Sequence, residues 1–423
     1  MKNITSSIVG SLVLLTSFSA HAERKWNDAN NPNNFDSNYK YNFNLLPSQG
    51  SIIDSNKGWS DSYWPLTRGS IADRWQVPEY AYRFKDLARP APNQIMNMSQ
   101  AEINLLSPAE KFDIIRGKLD LPLMKYLQEK LNPTPKDWWH GICNGWTQAS
   151  LNYDEPQPII YKSPISGVTV PLGSSDIKGL LSYYYANFDD SGYSKEEAKG
   201  MKNIGYIGKS CRGIKKFLFD FDGSCGDNDV NAGAFHIVIT NELGLRHKAF
   251  AMDRDPSPQV WNHPVVGYEM KVLNVNTSDL SKKATKGTVK EVTVETTVKL
   301  VNELYNTEDK DLEDDHHSAP QYQALGKGKQ HYLTLVYKYI LELDSRDQVI
   351  GGEWTDDNET HPDLLWKQPF VVGGLAVDTK DSNEDWSILA DIMRKATAYV
   401  KAGLPAAPEP AQATEQLNKG ETL

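Results

Sequence analysis

Alternation of apolar and polar residues dominates the second half of the chain and most constrains its fold. After residue 230 the alternation appears in the segments AFHIVIT, HKAFAMD, VVGYEMKVL, KEVTVETTV, HYLTLVYKYILELD and QVIGGEW. A period of two residues is typical of a strand with one buried face, so each segment is predicted to be a strand. Short turns separate most of these segments, which favours an antiparallel sheet.

The first half of the chain carries helical signals instead. The sequences SQAE at 99–102 and SPAE at 107–110 both fit the capping box, in which a serine caps a helix and a glutamate three residues later reaches back to it. Apolar stripes predict further helices over 122–131, 173–185 and 385–401. Helices followed by strands indicate the α+β class.

The N-terminus of the chain predicts export. Residues 1–22 combine a positive charge at Lys2, a short apolar segment over 8–18 and the small-residue pattern AHA, which ends at Ala22. This arrangement is typical of a secretory signal peptide, removed here after Ala22. No later apolar segment reaches the roughly 20 residues that a membrane span requires. The mature protein is therefore predicted to be secreted or periplasmic and to have no transmembrane segment.

The chain has three cysteines, an odd number for an exported protein. Cys211 and Cys225 are close in sequence and flank a predicted short strand and turn, so they are the natural disulfide pair. A bridge that closes so short a loop is worth roughly 3 kcal/mol. This pairing leaves Cys143 as a free thiol.

Cys143 opens a predicted helix in the sequence HGICNGWTQAS. A thiol at a helix N-terminus faces unpaired backbone N–H groups and the positive end of the helix dipole, which lower its pKa. The thiolate is the nucleophilic form, and the same N–H groups can stabilise an oxyanion. The alternative interpretation is a buried thiol that acts as a small apolar side chain.

A cysteine nucleophile needs a base, and the sequence offers His236. His236 lies in the predicted strand AFHIVIT, which a turn at NELGLR joins to HKAFAMD. If the turn centres on Gly244 and Leu245, His236 faces Asp253 across the hairpin, and facing residues project on the same side. A carboxylate there would orient the imidazole, as in other catalytic triads. Asp255 is the runner-up for this carboxylate, and a core histidine is the alternative for His236.

Several motifs resemble those of the transglutaminase elicitor family, first described from secreted oomycete cell-wall proteins and also found in bacteria. The resemblance runs from about residue 59 to residue 366 and includes SDSYWPLTRGSIADRW, GICNGWTQASL, NAGAFHIVITNELG, VWNHPVVGY and IGGEW followed by HPDLLW. The sequence VWNHPVVGY is similar to the peptide of the oomycete enzymes that plant defences recognise. It departs from that peptide at two positions, His263 and Val266.

The resemblance implies protein-glutamine γ-glutamyltransferase activity on a papain-related core. It puts the catalytic cysteine at Cys143 and the catalytic histidine at His236, and the acidic member is most simply Asp253. It also implies calcium dependence, as for known members. The resulting fold prediction is an α+β, papain-like and transglutaminase-like core. Its nucleophile lies at a helix N-terminus, its antiparallel sheet carries the histidine and the aspartate, and an N-terminal helical segment precedes it.

Three functions follow from this site. The leading hypothesis is a transglutaminase that forms isopeptide crosslinks through a Cys143 thioester, with proteins that expose glutamine and lysine as substrates. The runner-up is a cysteine protease or glutamine deamidase with the same triad, in which water resolves the intermediate. The third is a non-enzymatic cell-surface binding protein. The side chains of Trp138, Trp139 and Trp146 flank the cysteine in sequence and are predicted to be core residues or walls of the site.

The chain is predicted to divide into four parts. They are the signal peptide 1–22, an extended and helical segment 23–130, a catalytic domain 131–402, and a disordered Ala/Pro/Glu-rich tail 403–423. The sequence leaves open whether residues 23–130 are a removable pro-segment. The formal net charge of −10, without a basic cluster, excludes nucleic acid as the main partner.

Overall fold

A computed structural model describes ten stretches of the chain. They are residues 24–54, 56–74, 84–131, 139–187, 205–208, 229–254, 259–303, 332–355, 361–367 and 386–398. Several predicted features lie outside these residues: the signal peptide, the Cys211–Cys225 disulfide, Asp255, Trp138 and the tail 403–423. Among the described residues, no helix has both the length and the apolar character needed to cross a membrane.

Helices make up most of the described chain between residues 92 and 186. They are α1 (Pro92–Ile95), α2 (Gln100–Asn104), α3 (Pro108–Ile115), α4 (Pro122–Lys130), α5 (Cys143–Asn152) and α6 (Ser174–Ala186), followed later by α7 (Ala232–Ile239) and α8 (Ser387–Ala396). Both predicted capping boxes form. The hydroxyl of Ser107 accepts from the backbone N–H of Glu110, whose carboxylate accepts from the N–H of Ser107, and Ser99 caps α2 in the same way.

An antiparallel sheet makes up the second half, as the alternation predicts. The strands are β1 (Gln49–Ser51), β2 (Ile159–Lys162), β3 (Thr169–Leu172), β4 (Gly205–Gly208), β5 (Phe250–Asp253), β6 (Asn262–Asn276), β7 (Lys290–Val301), β8 (Tyr332–Leu343), β9 (Val349–Trp354) and β10 (Leu364–Lys367). Within the described residues the large sheet has the order β4-β10-β5-β6-β7-β8-β9, with β1 added to β6. Strands β2 and β3 form a separate hairpin.

Two apolar cores lie beneath this architecture. The helical core draws on α2 to α6 and α8, with Trp146 and Trp386 fully buried at its centre. The sheet core lies between one face of the sheet and α7, and includes Phe235 and Tyr339. The helical core takes residues from both sides of residue 131, where the sequence predicts a domain boundary, so removal of residues 23–130 would take part of this core with it.

The segment AFHIVIT is helical, so the prediction of a strand there is wrong. It forms most of α7, which Asn231 caps by accepting from the backbone N–H groups of Gly233 and Ala234. All eight residues of α7 are buried. A helix that is buried on every side is apolar all round, so its sequence lacks the helical period and a short β-branched run resembles a buried strand. Gly233 permits the burial, because a Cβ there would lie 2.5 Å from the carbonyl oxygen of Gly351.

The N-terminal residues of the described chain pack against the far end of the sheet. The guanidinium of Arg24 contacts the carboxylates of Glu291 on β7, at 2.7 Å, of Glu342 on β8, at 3.2 Å, and of Glu353 on β9. Farther along, the hydroxyl of Tyr39 donates to Glu242 at 2.6 Å. The contacts of Arg24 tie the start of the segment 23–130 to strands that lie more than 250 residues later.

Candidate active site

The thiol of Cys143 lies where the sequence predicts it, at the first residue of α5. It is free of any disulfide. The chain approaches α5 under tight constraint, since the N–H of Ile142 donates to the carbonyl of Tyr63 at 2.8 Å. A Cβ at Gly141 would lie 2.3 Å from that carbonyl oxygen, so the approach requires glycine. These contacts fix the start of α5 and therefore the position of the sulfur.

The sulfur of Cys143 contacts the start of β6. Its Sγ lies 3.7 Å from the carbonyl oxygen of Val260 and 3.7 Å from the side-chain nitrogen Nδ2 of Asn262. The carbonyl oxygen of Asn262 accepts from the hydroxyl of Thr147 on α5 at 3.1 Å, and its side-chain Oδ1 accepts from the indole N–H of Trp366 on β10 at 2.8 Å. The helix that carries the thiol is therefore joined to the sheet at Asn262.

Asp253 belongs to the same site. It ends β5 directly opposite Asn262 on β6, is fully buried, and accepts from the backbone N–H of Trp261 at 2.9 Å. Its negative charge acts on Cys143. The structure thus brings together Cys143 and Asp253, two of the three residues predicted for the triad.

Burial decides the protonation of the thiol. Desolvation raises the pKa of Cys143 to about 11; the backbone and side-chain hydrogen bonds from Asn262 lower it, and the charges of Asp253 and Glu303 raise it further. The sequence argument predicted a lowered pKa from the helix N-terminus, and that prediction is wrong because desolvation outweighs the donors. With this raised pKa, the thiol of Cys143 is neutral near pH 7.

His236 lies in a different environment. Its Nδ1 is 3.1 Å from the hydroxyl oxygen of Tyr339, its ring stacks on Phe43, and its Nε2 is buried with no hydrogen-bond partner among the described residues. Burial lowers the pKa of His236 to about 3, so the ring is neutral. The described contacts of His236 come from the sheet core and not from Cys143.

The sheet itself separates His236 from the thiol. Met252 and Val265 pack with α7 in the sheet core. Side chains alternate along a strand, so Asp253 and Asn262 project from the opposite face. Cys143, which contacts Asn262, therefore lies across the sheet from α7. The predicted hairpin that pairs His236 with Asp253 is wrong: Asp253 pairs with Asn262 on one side and Leu364 on the other.

The position of His236 predicts a structural effect for its replacement. We expect His236→Gln to lower the free energy of unfolding by about 1–3 kcal/mol, because it disturbs a buried contact with Tyr339. Alkylation of Cys143 should keep its wild-type rate, since the sheet lies between the two side chains. Urea unfolding and iodoacetamide labelling measure the two quantities, with Tyr339→Phe as a control that removes the same contact from the other side. If the variant unfolds like the wild type but Cys143 is no longer labelled, His236 acts on the thiol and belongs to the active site.

Several residues of the site were not predicted from the sequence. Val260, Asn262 and Trp366 lie within motifs that carry the family resemblance, VWNHPVVGY and HPDLLW, whereas Glu303, whose charge acts on Cys143, lies outside them. The resemblance marked these segments, but nothing local to either segment indicates that they meet. Trp139 is half-buried against His140, and Trp146 is a core residue whose indole N–H donates to the carbonyl of Trp59.

An aromatic pair borders the thiol instead. Trp261 lies between Val260 and Asn262, the two residues that contact the sulfur, and its ring packs edge-on against Tyr63 at 5.5 Å. The carbonyl of Tyr63 in turn holds the residue before Cys143. The Tyr63 ring also lies close to Gly141, two residues before Cys143, so the aromatic pair lies near the thiol. Trp261 is half-buried.

Comparison with known proteins places the chain in a family and identifies a similar fold. The sequence profile of the family described as transglutaminase elicitor matches residues 134–370, which is more than half of the chain. The chain belongs to this family. In fold, this family member is similar to the crystal structure of the GP42 transglutaminase from Phytophthora sojae, with a TM-score of 0.57 and 19% sequence identity over 88% of this chain and 98% of that chain. No curated protein sequence matches this elicitor-family chain at a significant level.

Proposed function

We propose that the protein is a protein-glutamine γ-glutamyltransferase in which Cys143 is the nucleophile. The observation that carries the proposal is the free thiol at the first residue of α5, in contact with the amide of Asn262 and close to the charge of Asp253. Membership of the transglutaminase elicitor family and the fold similarity to GP42 support it.

The reaction has two steps. The sulfur of Cys143 forms a bond to the carboxamide carbon of a substrate glutamine, the carbon–nitrogen bond breaks, and the thiol proton ends on the departing ammonia. The amine of a substrate lysine then attacks the thioester, so that an isopeptide bond forms and the thiol is regenerated. The negative charges of Asp253 and Glu303 act at the sulfur and stabilise positive charge near it. They therefore favour the protonated form of the group that passes the proton from the thiol to the leaving nitrogen.

Calcium enters the proposal only through the family resemblance. Within the described residues, no group of three or more histidine, cysteine, aspartate or glutamate side chains could hold a metal ion. The side chains present there do not fit a calcium site. No calcium ligand is therefore assigned, and no step of the proposed reaction passes through the ion.

The aromatic border favours transfer to an amine over hydrolysis. Water is abundant, so a transferase must keep it away from the thioester and admit an amine along an apolar route. The rings of Trp261 and Tyr63 provide apolar surface beside Cys143, on which the aliphatic stem of a lysine can pack. A protease or deamidase needs no such route, since water resolves its intermediate.

The proposal predicts incorporation of a fluorescent alkylamine into casein. Purified mature protein is incubated with both substrates, with and without a calcium chelator, and the label on casein is measured. Enzyme inactivated beforehand with iodoacetamide is the matched control. We expect label on casein with the active enzyme and none with the control. Incorporation of the label should be faster than ammonia release by hydrolysis.

Other products would identify other functions. Cut casein without label would indicate a protease, and ammonia release without label in excess amine would indicate a deamidase. The absence of all three products would favour a binding protein. Label that is unchanged by the chelator would contradict calcium dependence and leave the transferase proposal intact.

A further inference from the structure

We propose that Asn262 is a further catalytic residue, whose amide groups donate to the sulfur of Cys143 as it gains negative charge, and that Trp366 is the residue that positions it. The inference rests on the proposed role of Cys143 as the nucleophile. It deepens that role, because it names the donor that stabilises the charged sulfur.

The orientation of the Asn262 side chain is set by its partners. An amide group has one acceptor end and one donor end, and the two are distinguished by the groups around them. The indole of Trp366 can only donate, so the end of the amide at 2.8 Å from it is the oxygen Oδ1. The other end is therefore the nitrogen Nδ2, and it lies 3.7 Å from the sulfur of Cys143.

The backbone of Asn262 is held as firmly as its side chain. Its carbonyl accepts from the hydroxyl of Thr147, one helical turn after Cys143, and its residue position pairs with Asp253 in the sheet. The donor and the sulfur are thus fixed to each other through α5 and through β6. A donor fixed in advance stabilises developing charge without having to reorganise during the reaction.

The sulfur of Cys143 has a hydrogen-bond partner in each of its two protonation states. Sγ lies 3.7 Å from the carbonyl oxygen of Val260, toward which a protonated thiol can donate, and 3.7 Å from Nδ2 of Asn262. When the thiol loses its proton, it no longer donates to the carbonyl of Val260. The amide of Asn262 then donates to a negatively charged sulfur. Charge-assisted hydrogen bonds are roughly twice as strong as neutral ones.

The surroundings of the sulfur make this donor necessary. Burial and the charges of Asp253 and Glu303 all disfavour the thiolate, and the hydrogen bonds of Asn262 act in the opposite direction on the pKa of Cys143. A donor in a low-dielectric environment has a larger effect than the same donor in water. Removing the donor should therefore slow every reaction in which this sulfur becomes charged.

Asn262→Asp tests the inference at a single atom. The variant keeps an acceptor for the indole of Trp366 and replaces only the donor that faces the sulfur with a negatively charged oxygen. We expect iodoacetamide to alkylate Cys143 at least about tenfold more slowly at pH 9, which corresponds to a pKa about one unit higher. Peptide mapping follows Cys143 itself, and thermal unfolding checks that the variant is folded.

Trp366→Phe is the second variant. It leaves the amide of Asn262 in place but removes the donor that orients it. We therefore expect the alkylation rate of Cys143 to fall by a smaller factor, roughly threefold, and its pH dependence to shift. Trp354→Phe is the matched control. Trp354 ends β9, and its indole N–H donates to the carbonyl of Val230. The variant therefore also removes an indole hydrogen bond, but it should leave the pH dependence of alkylation unchanged.

Parallel assays separate this inference from the proposed function. If folded Asn262→Asp is alkylated at the wild-type rate, or if Trp366→Phe and Trp354→Phe behave alike, the inference is overturned even when the wild-type protein transfers amines. If alkylation slows in Asn262→Asp but the wild-type protein transfers no amine, the inference stands and the proposed function fails.

Discussion

Cys143→Ala is expected to lose amine incorporation by a factor on the order of 10⁴ or more, as happens when the nucleophile of a covalent mechanism is removed. The fold should be retained, because the change replaces a thiol with a methyl-sized side chain at a position that is only partly buried. Cys143→Ser is the matched variant: it keeps a hydroxyl at the same place, but a hydroxyl is a much weaker nucleophile without an adjacent base.

Initial rates of label incorporation into casein measure this effect, and urea unfolding measures the fold. Both variants should unfold at nearly the wild-type denaturant concentration. A residual rate above about a hundredth of the wild-type rate in Cys143→Ala would mean that another group attacks the glutamine. That result would remove Cys143 from the mechanism, whatever the thiol reactivity of the site.

Gly145→Ala is expected to damage both stability and activity, because it forces apart the two helices beneath the nucleophile. A Cβ at Gly145 on α5 would lie 1.9 Å from the carbonyl oxygen of Ser182 and 2.8 Å from the Cβ of Ala186, both on α6. A backbone atom cannot move aside as a flexible side chain can. We expect a loss of about 3 kcal/mol in the free energy of unfolding, at the upper end of overpacking effects.

Activity should fall with stability in this variant, since Cys143 is two residues before Gly145 and moves with the helix. Gly267→Ala is the control, because a Cβ there would meet its nearest neighbours at 3.6 Å, which is ordinary van der Waals contact. Urea unfolding and amine incorporation are measured for both. Equal stability of the two variants would show that α5 and α6 are not packed as closely as described.

The fold was predictable wherever local signals decide it. The serine caps at Ser99 and Ser107 set helix starts by contacts within three residues, so the sequence alone predicts them. The long strands β7 and β8 alternate along much of their length because one face of each is more deeply buried than the other. The helix α7 lacks any such contrast, since all its residues are buried, and periodicity cannot then distinguish helix from strand.

The site was predictable only in part, for a related reason. Cys143 is marked by its own surroundings in the chain, as a lone thiol at a helix start. The partners of Asp253 are set by pairing with strands that begin 9 and 111 residues later, at Asn262 and Leu364, and no local pattern encodes that pairing. The sequence just before Asp253 resembles a strand and so predicts a hairpin with it, but that segment forms α7, on the other face of the sheet.

If the chain is exported as its N-terminal sequence predicts, the contacts of Arg24 bear on the order in which the protein can be assembled. A chain that crosses a membrane from its N-terminus presents Arg24 first, but the guanidinium has its three carboxylates only after Glu353 has emerged. Likewise, the amide beside Cys143 is oriented only once Trp366 has arrived. Folding during synthesis proceeds from the N-terminus, so both clusters close late. On that route, a partly translocated chain would carry its thiol in an unassembled state, and the site around Cys143 would form only after nearly the whole polypeptide had crossed the membrane.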